Sequence, residues 1–311
     1  MKKIFLIAIC LVSFSTVFGQ EKIENTITDD HVNIPSSKVS LIPPVGFTKS
    51  TLISGFQDLT TGSSILLIDM PAPYSKIAPA FTKENLMSKG IEILSKEEYI
   101  INGLPAILIN AQQIISGSIY SKTLLILGNE TESMMIQGTC NNLNKAEIET
   151  IKTTLLAIVY DPEKEIDPFD NLGYTLDVSA ANLKFANSIM AGFSMTYTMD
   201  GKSPTASEDK TSLIVAKSVS KLPIEDKKGF ALKNFKNYPL GLEEIESINE
   251  ITIDGISGYE IIAKCLSNEE PSSVYHVILF GDQMNYLFLG ETIHQKKIKK
   301  LKSVISTFSR I

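Results

Sequence analysis

The chain has no tryptophan, only three histidines and three cysteines, and a single arginine, Arg310. One arginine leaves almost none of the planar guanidinium forks that clamp phosphate and carboxylate groups. With 35 acidic against 29 basic residues, a formal net charge of −6, the chain also lacks the clustered cations that nucleic-acid backbones require. Nucleic acid is excluded as an expected partner. No glycine-rich phosphate loop and no calcium-loop spacing occur in the sequence, so no cofactor is expected. Beyond the first nineteen residues no apolar run approaches the ~20 residues that span a bilayer.

What is present begins with an export signal. Lys2 and Lys3 form a basic head, Ile4 to Phe14 is nearly all apolar, and Val17 and Gly19 stand three and one residues before Gln20. This arrangement predicts a signal peptide over 1–19, cleaved between Gly19 and Gln20. Cys10 lies inside the apolar run after Ile9, where a lipid-attachment site would want a small residue, so a lipoprotein is not expected. Cys140 and Cys265 survive cleavage. Their even count permits one disulfide, but two cysteines in about 290 residues make no disulfide scaffold. Two separately buried thiols is the favoured expectation.

Residues 20–38 are polar and mixed, and read as an exposed leader. Residues 161–170, DPEKEIDPFD, hold five acids and two prolines without an apolar period, and read as a linker. The segments on either side resemble each other. Asn102-Gly103 and Asp254-Gly255 are matched hairpin signals, because such pairs supply the positive φ angles of a tight turn. Alternating runs flank both, at 91–101 and 106–114 in the first half and at 242–253 and 259–266 in the second. Third strands follow at 120–127 and 275–280, and fourth strands end near Gly138 and Gly290. Helices are expected at 145–159, with Ile148, Ile151, Leu155 and Val159 on one stripe, and at 295–309, with Ile298, Leu301, Ile305 and Phe308. Earlier helices are expected around 81–88 and 230–236.

Four consecutive strands on short turns are largely antiparallel, and striped helices need a sheet to pack on. The expected fold is therefore α+β: two tandem antiparallel-sheet domains, 39–160 and 171–311, each sheet covered by helices. This pattern resembles the PsbP-like fold. The resemblance is carried by Pro44-Val45-Gly46-Phe47, by the apolar strand 64–70 before Pro71-Ala72-Pro73, by the Asn102-Gly103 hairpin and by the terminal amphipathic helix. The second half keeps the hairpin, strands and helix but has no Pro-x-Gly-Phe. That family includes the extrinsic subunit of the oxygen-evolving complex, a Ran-binding nuclear import factor and many bacterial envelope proteins. The resemblance implies a non-catalytic accessory or binding role. Neither the photosystem nor the Ran-binding role is carried over, since no residue motif for either is present.

Catalytic patterns are few. His31, His276 and His294 make no short-spaced pair with one another or with cysteine, so no zinc pattern exists. The Gly-x-Ser-x-Gly elbow is missing, and Ser218-Val219-Ser220-Lys221 is a chance match in a chain rich in serine and lysine. Paired acids at Glu97-Glu98, Glu225-Asp226, Glu243-Glu244 and Glu269-Glu270 read as turn and edge charges. The lysines of the last helix (Lys296, Lys297, Lys299, Lys300 and Lys302) read as the solvated face of a core helix rather than a membrane surface, because the first half has the same stripe with fewer lysines.

The expected function is a non-enzymatic exported envelope protein that binds an unknown protein or small ligand, in a groove between sheet and helices or between the two halves. The alternative is an exported hydrolase with a dispersed site around His276 or His294. No sorting domain follows the second half, so the periplasm is the expected address rather than the cell exterior.

Overall fold

The computed structural model describes residues 20–50, 52–115, 117–141, 143–170, 172–189, 192–219, 224–238, 241–267 and 270–311. The expected signal segment 1–19 with Gly19, and with it Ser220, Lys221 and Glu269, lies outside the described residues. The first half holds strands β1 (Glu21–Ile23), β2 (Val32–Asn33), β3 (Val39–Leu41), β4 (Thr48–Lys49), β5 (Gly55–Gln57) and β6 (Ser64–Met70). Two short helices, α1 (Tyr74–Ile77) and α2 (Lys83–Met87), lead to β7 (Ile91–Ile101), β8 (Leu104–Ile115), β9 (Ser118–Gly128), β10 (Ser133–Cys140), α3 (Lys145–Leu156) and β11 (Val159–Tyr160). The second half runs β12 (Tyr174–Thr175), β13 (Lys184–Ile189), β14 (Ser194–Thr198), β15 (Ser212–Val219), then α4 (Lys227–Lys236). It continues with β16 (Gly241–Ile253), β17 (Ile256–Ser267), β18 (Glu270–Phe280), β19 (Met284–Thr292), α5 (Ile298–Ile305) and β20 (Ser309–Arg310).

The hairpin signals set the two long strand pairs. Asn102 and Gly103 take φ of 47° and 77°, and Asp254 and Gly255 take 50° and 72°, the hand that matches strand twist. Around them grow an eight-stranded sheet, β1-β7-β8-β9-β10-β6-β5-β4, and a seven-stranded sheet, β16-β17-β18-β19-β15-β14-β13. Apart from β1, which adds parallel to β7, the two orders are the same. The small pairs match as well: β11 lies antiparallel to β3, and β20 to β12.

Gly138 and Gly290 have one physical purpose. A Cβ on Gly138 would stand 2.2 Å from Ile151 Cγ2, and one on Gly290 would stand 2.9 Å from Leu301 Cδ1. In each half the fourth strand gives up a side chain where the last helix crosses it. Asn144 caps α3 by accepting from Ala146 N, and Asp226 caps α4 by accepting from Gly229 N.

Both faces of each sheet are buried, which is why the central strands read as unbroken apolar runs. In the first sheet Leu108, Leu125 and Leu127 pack with α3 residues Ile151 and Leu155, while Ile109, Leu124 and Ile126 pack with Leu86 of α2. In the second, Val277, Phe288 and Leu213 pack with Leu301 and Ile305 of α5, while Ile261 and Val274 pack with Phe235 of α4. The stripe of α5 is core. Of its lysines, Lys302 pairs with Glu260 at 3.0 Å, and Lys297, one residue before the helix, pairs with Asp209.

The expectation of an α+β sandwich with helix-covered sheets is corrected. Of the described residues 47% are strand and 17% helix, so the chain is mostly β. The reason is one of extent. Among the described residues the longest helix, α3, has 12 residues and reaches about 18 Å, whereas seven strands side by side spread roughly 30 Å. Helices α3, α4 and α5 each lie mainly over two strands, and short strands and loop residues such as Ile34, Val39 and Leu41 fill much of the remaining face.

The 20–38 leader is exposed over much of its length but is tied to the fold at both ends. Within 20–38, β1 extends the sheet, and Ile34 and Ser37 are buried. Asn25 donates to Leu156 O and Ile158 O at 2.8 and 2.9 Å, closing the C-terminal end of α3. Polar residues there serve orphan helix carbonyls rather than solvent. The helix expected over 145–159 stops at Leu156, and its last residues become β11. Residues 161–170 hold no helix or strand and are mostly exposed.

Candidate functional site

His276 and His294 are not brought together. His276 lies on β18, fully buried at 0% exposure, on the sheet face that α4 covers. Its Nδ1–H donates to Phe288 O at 3.0 Å, and its Nε2 is buried without a partner. Phe235 stacks on its ring and Tyr238 meets it edge-on, both at 5.6 Å. Burial pulls its pKa down to about 4, against a smaller upward pull from the Phe288 carbonyl, so the ring is neutral at physiological pH. His294 is exposed ahead of α5, its backbone N–H held by the Thr292 hydroxyl at 3.1 Å. Cys140 and Cys265 are both free and buried, one in the core under α3 and the other in the core under α4. Gln20 is exposed and donates to Glu98 at 3.1 Å. Among the described residues no group of three or more His, Cys, Asp or Glu could hold a metal ion.

A cavity of about 340 Å³, with more apolar than polar lining, lies where the first sheet, the 161–170 segment and the second sheet converge. The first half contributes Lys38 beside β3, Asp69 and Met70 at the end of β6, Glu132 of the β9–β10 turn and Met134 of β10. Ile166 and Pro168 form one wall, and Ser188 and Ile189 of β13 form another. A pocket of this size and mixed lining lies within the range of small-ligand sites.

Its charged groups are positioned by turn and strand geometry. Asn129 accepts from Thr131 N and Glu132 N at 2.8 and 2.9 Å, and this Asx-type turn holds Glu132 at the rim. Tyr160 and Val39 are direct partners across β11 and β3, which sets Lys38 close by. Glu132 accepts from Lys38 Nζ at 3.0 Å and from the Tyr160 hydroxyl at 2.5 Å. Burial pulls the Glu132 carboxyl upward, but the bonds from Tyr160 and Lys38 and the Lys38 charge together outweigh it and leave it below its ordinary value. Burial, and then the bond to Glu132, push the Tyr160 phenol up. Ser36 donates to Asp170 O and Ser133 to Ala72 O, both at 2.6 Å. The cavity therefore offers a preformed shape whose main polar groups already hold one another.

Sequence reasoning missed Lys38, Glu132 and Tyr160. They lie 28 to 122 residues apart, and only strand pairing and the 129–132 turn bring them together. One signal was available in Asn129, since an Asn three residues before an acid between two strands marks an Asx turn.

No protein-family model matches the chain, and no curated protein matches it. Among solved structures it is similar to cyanobacterial PsbP (CyanoP) from Synechocystis sp. PCC 6803, at 12% identity over 42% of this chain and 91% of that one, with a TM-score of 0.33. It is also similar to the apo immunity protein TplEi of the T6SS from Pseudomonas aeruginosa, at 10% identity over 90% and 97%, TM-score 0.33. A chain of the Tle4–Tli4 complex gives 10% identity over 86% and 98%, TM-score 0.35. Likenesses this distant carry no weight for function. Among the described residues no helix is long and apolar enough to cross a membrane.

Proposed function

We propose that this chain is a non-enzymatic, exported binding module of the cell envelope, built from two PsbP-like copies and working in the periplasm. Its site is the cavity between the halves, and its ligand is a small molecule or a short segment of a partner protein. The observation that carries this reading is the cavity itself, preformed at the meeting of both sheets and lined by Met70, Met134, Ile166 and Ile189. Its Lys38 and Glu132 side chains are engaged with each other and with the neighbouring Tyr160 phenol rather than poised at a reacting atom. Such a site recognises by shape and apolar contact, with Lys38 and Glu132 as a polar rim. Duplication is supported by the common strand order of the two sheets and by the matched glycines under α3 and α5.

The test is native mass spectrometry of the mature chain purified gently from its own envelope. A discrete retained mass is the expected result. A chain that carries no added mass contradicts the reading and turns attention to activity screens around His276 and His294.

A further inference from the structure

The second half has a cavity of its own, about 360 Å³, in the place that the junction cavity occupies in the first. The register makes the correspondence concrete. Gly138 pairs with Ile65 and Gly290 with Leu213. Four residues further along each strand stand Asp69, which lines the first cavity, and Lys217, which lines the second. Tyr160 opposite Val39 in the first half answers to Arg310 opposite Tyr174 in the second. Each cavity is also closed from the other half. Ile189, at the end of β13, lines the first, and Leu52, in the matching turn after β4, lines the second. The position that carries an acid in one cavity thus carries a base in the other.

Lys217 is unusual in its setting. It is 9% exposed, on the same strand face as the fully buried Leu213 and Val215. Its Nζ donates to Leu172 O at 3.1 Å and stands 5.5 Å from the centre of the Phe193 ring. Among the described residues it makes no ion pair. An ammonium has three protons to donate, and a buried cation without a counter-charge is costly to maintain. Burial lowers its pKa to about 8. Asp282, Arg310 and Ile311 also line this cavity. Arg310 is occupied, with Nε on Asp254 at 2.7 Å, and Asp282 is exposed. A buried ammonium with no ion pair among the described residues, a nearby acid and an apolar wall favour a singly charged anion over a phosphate dianion.

We propose that this second cavity binds a small carboxylic acid with an apolar tail, the carboxylate on the Lys217 ammonium and the tail against Leu52, Leu172, Met284 and Tyr286. The ligand supplies the counter-charge and acceptors that the fold leaves out. This site stands independently of the use proposed for the junction cavity.

Octanoate is the probe, titrated calorimetrically into the full mature chain, with octanol as its uncharged control. At pH 7 octanoate is expected to bind the wild type and to bind Lys217→Met at least tenfold more weakly, while octanol does not distinguish the two. Wild-type affinity falls as pH rises from 7 to 9.5, because the deprotonated amine loses its charge, and the variant shows no such fall. No octanoate binding by the wild type, or equal affinity in Lys217→Met, overturns the proposal. Should the variant not fold, NMR titration of the Lys217 side chain in the wild type decides the matter. Octanoate is expected to raise its pKa, and an unmoved pKa overturns the proposal.

Discussion

Acidification offers a sharp handle on the second core, through His276. In the fold this ring is at 0% exposure, with its pKa drawn down to about 4 from 6.5 by burial. Well above pH 6.5 it is neutral in both the folded and unfolded chain and contributes no pH dependence. Between pH 6.5 and 4 the unfolded chain binds the proton and the folded one does not. Unfolding then takes up a proton, so stability falls as pH falls. From pH 7.5 to pH 5 the loss works out at about 2 kcal/mol, approaching about 3 kcal/mol below pH 4. The comparison variant is His276→Leu, which cannot titrate. It gives up the bond to Phe288 O, at about 1 kcal/mol independent of pH. Urea unfolding followed by tyrosine fluorescence, convenient in a chain with ten tyrosines and no tryptophan, measures both at pH 7.5, 6 and 5. The wild type is expected to lose about 2 kcal/mol relative to the variant across that range. A wild-type-to-variant difference that stays constant from pH 7.5 to 5 would refute the reasoning.

Two further outcomes test the packing. Gly138→Ala places a Cβ against Ile151 and is expected to lower stability by about 1–3 kcal/mol; an unmoved urea midpoint would mean that α3 does not seat on β10 as described. Burial pushes the thiols up to about 12 for Cys140 and about 11 for Cys265, so a disulfide reagent at pH 8 should label neither in the folded chain and both in urea. Rapid labelling of the native protein would contradict the two buried positions.

Local rules made much of the fold legible. Asn102-Gly103 and Asp254-Gly255 each specify a turn by themselves, and β7 begins and ends where alternation begins and ends. The stripes of α3 and α5 follow from spacing alone. What failed depended on reach and on partners. Helices can be found from periodicity, but how little of a wide sheet they cover cannot, and the expected α+β sandwich gave way to a mostly β chain for that reason. Within the 20–38 leader Asn25 reads as solvated because it is polar, whereas its amide is used on the carbonyls of Leu156 and Ile158.

The sites were harder still. The junction cavity draws on residues from 36 to 189, and no local pattern links them. Lys217 did leave a trace, since Leu213, Val215 and Lys217 share a face by the twofold period of a strand. A lone lysine in that row signals a buried charge. His276 left a similar trace, in phase with the buried Val274 and Ile278.

The most direct test of the binding reading locates the retained ligand rather than merely detecting it. Ile189 is 39% exposed on the rim of the junction cavity, so Ile189→Trp obstructs the cavity at little cost to the core. Native mass spectrometry of both forms, purified side by side from the envelope, is predicted to show a discrete added mass on the wild type and its loss from the variant. An added mass retained equally by both, or absent from the wild type, would contradict the claim that this cavity is the binding site.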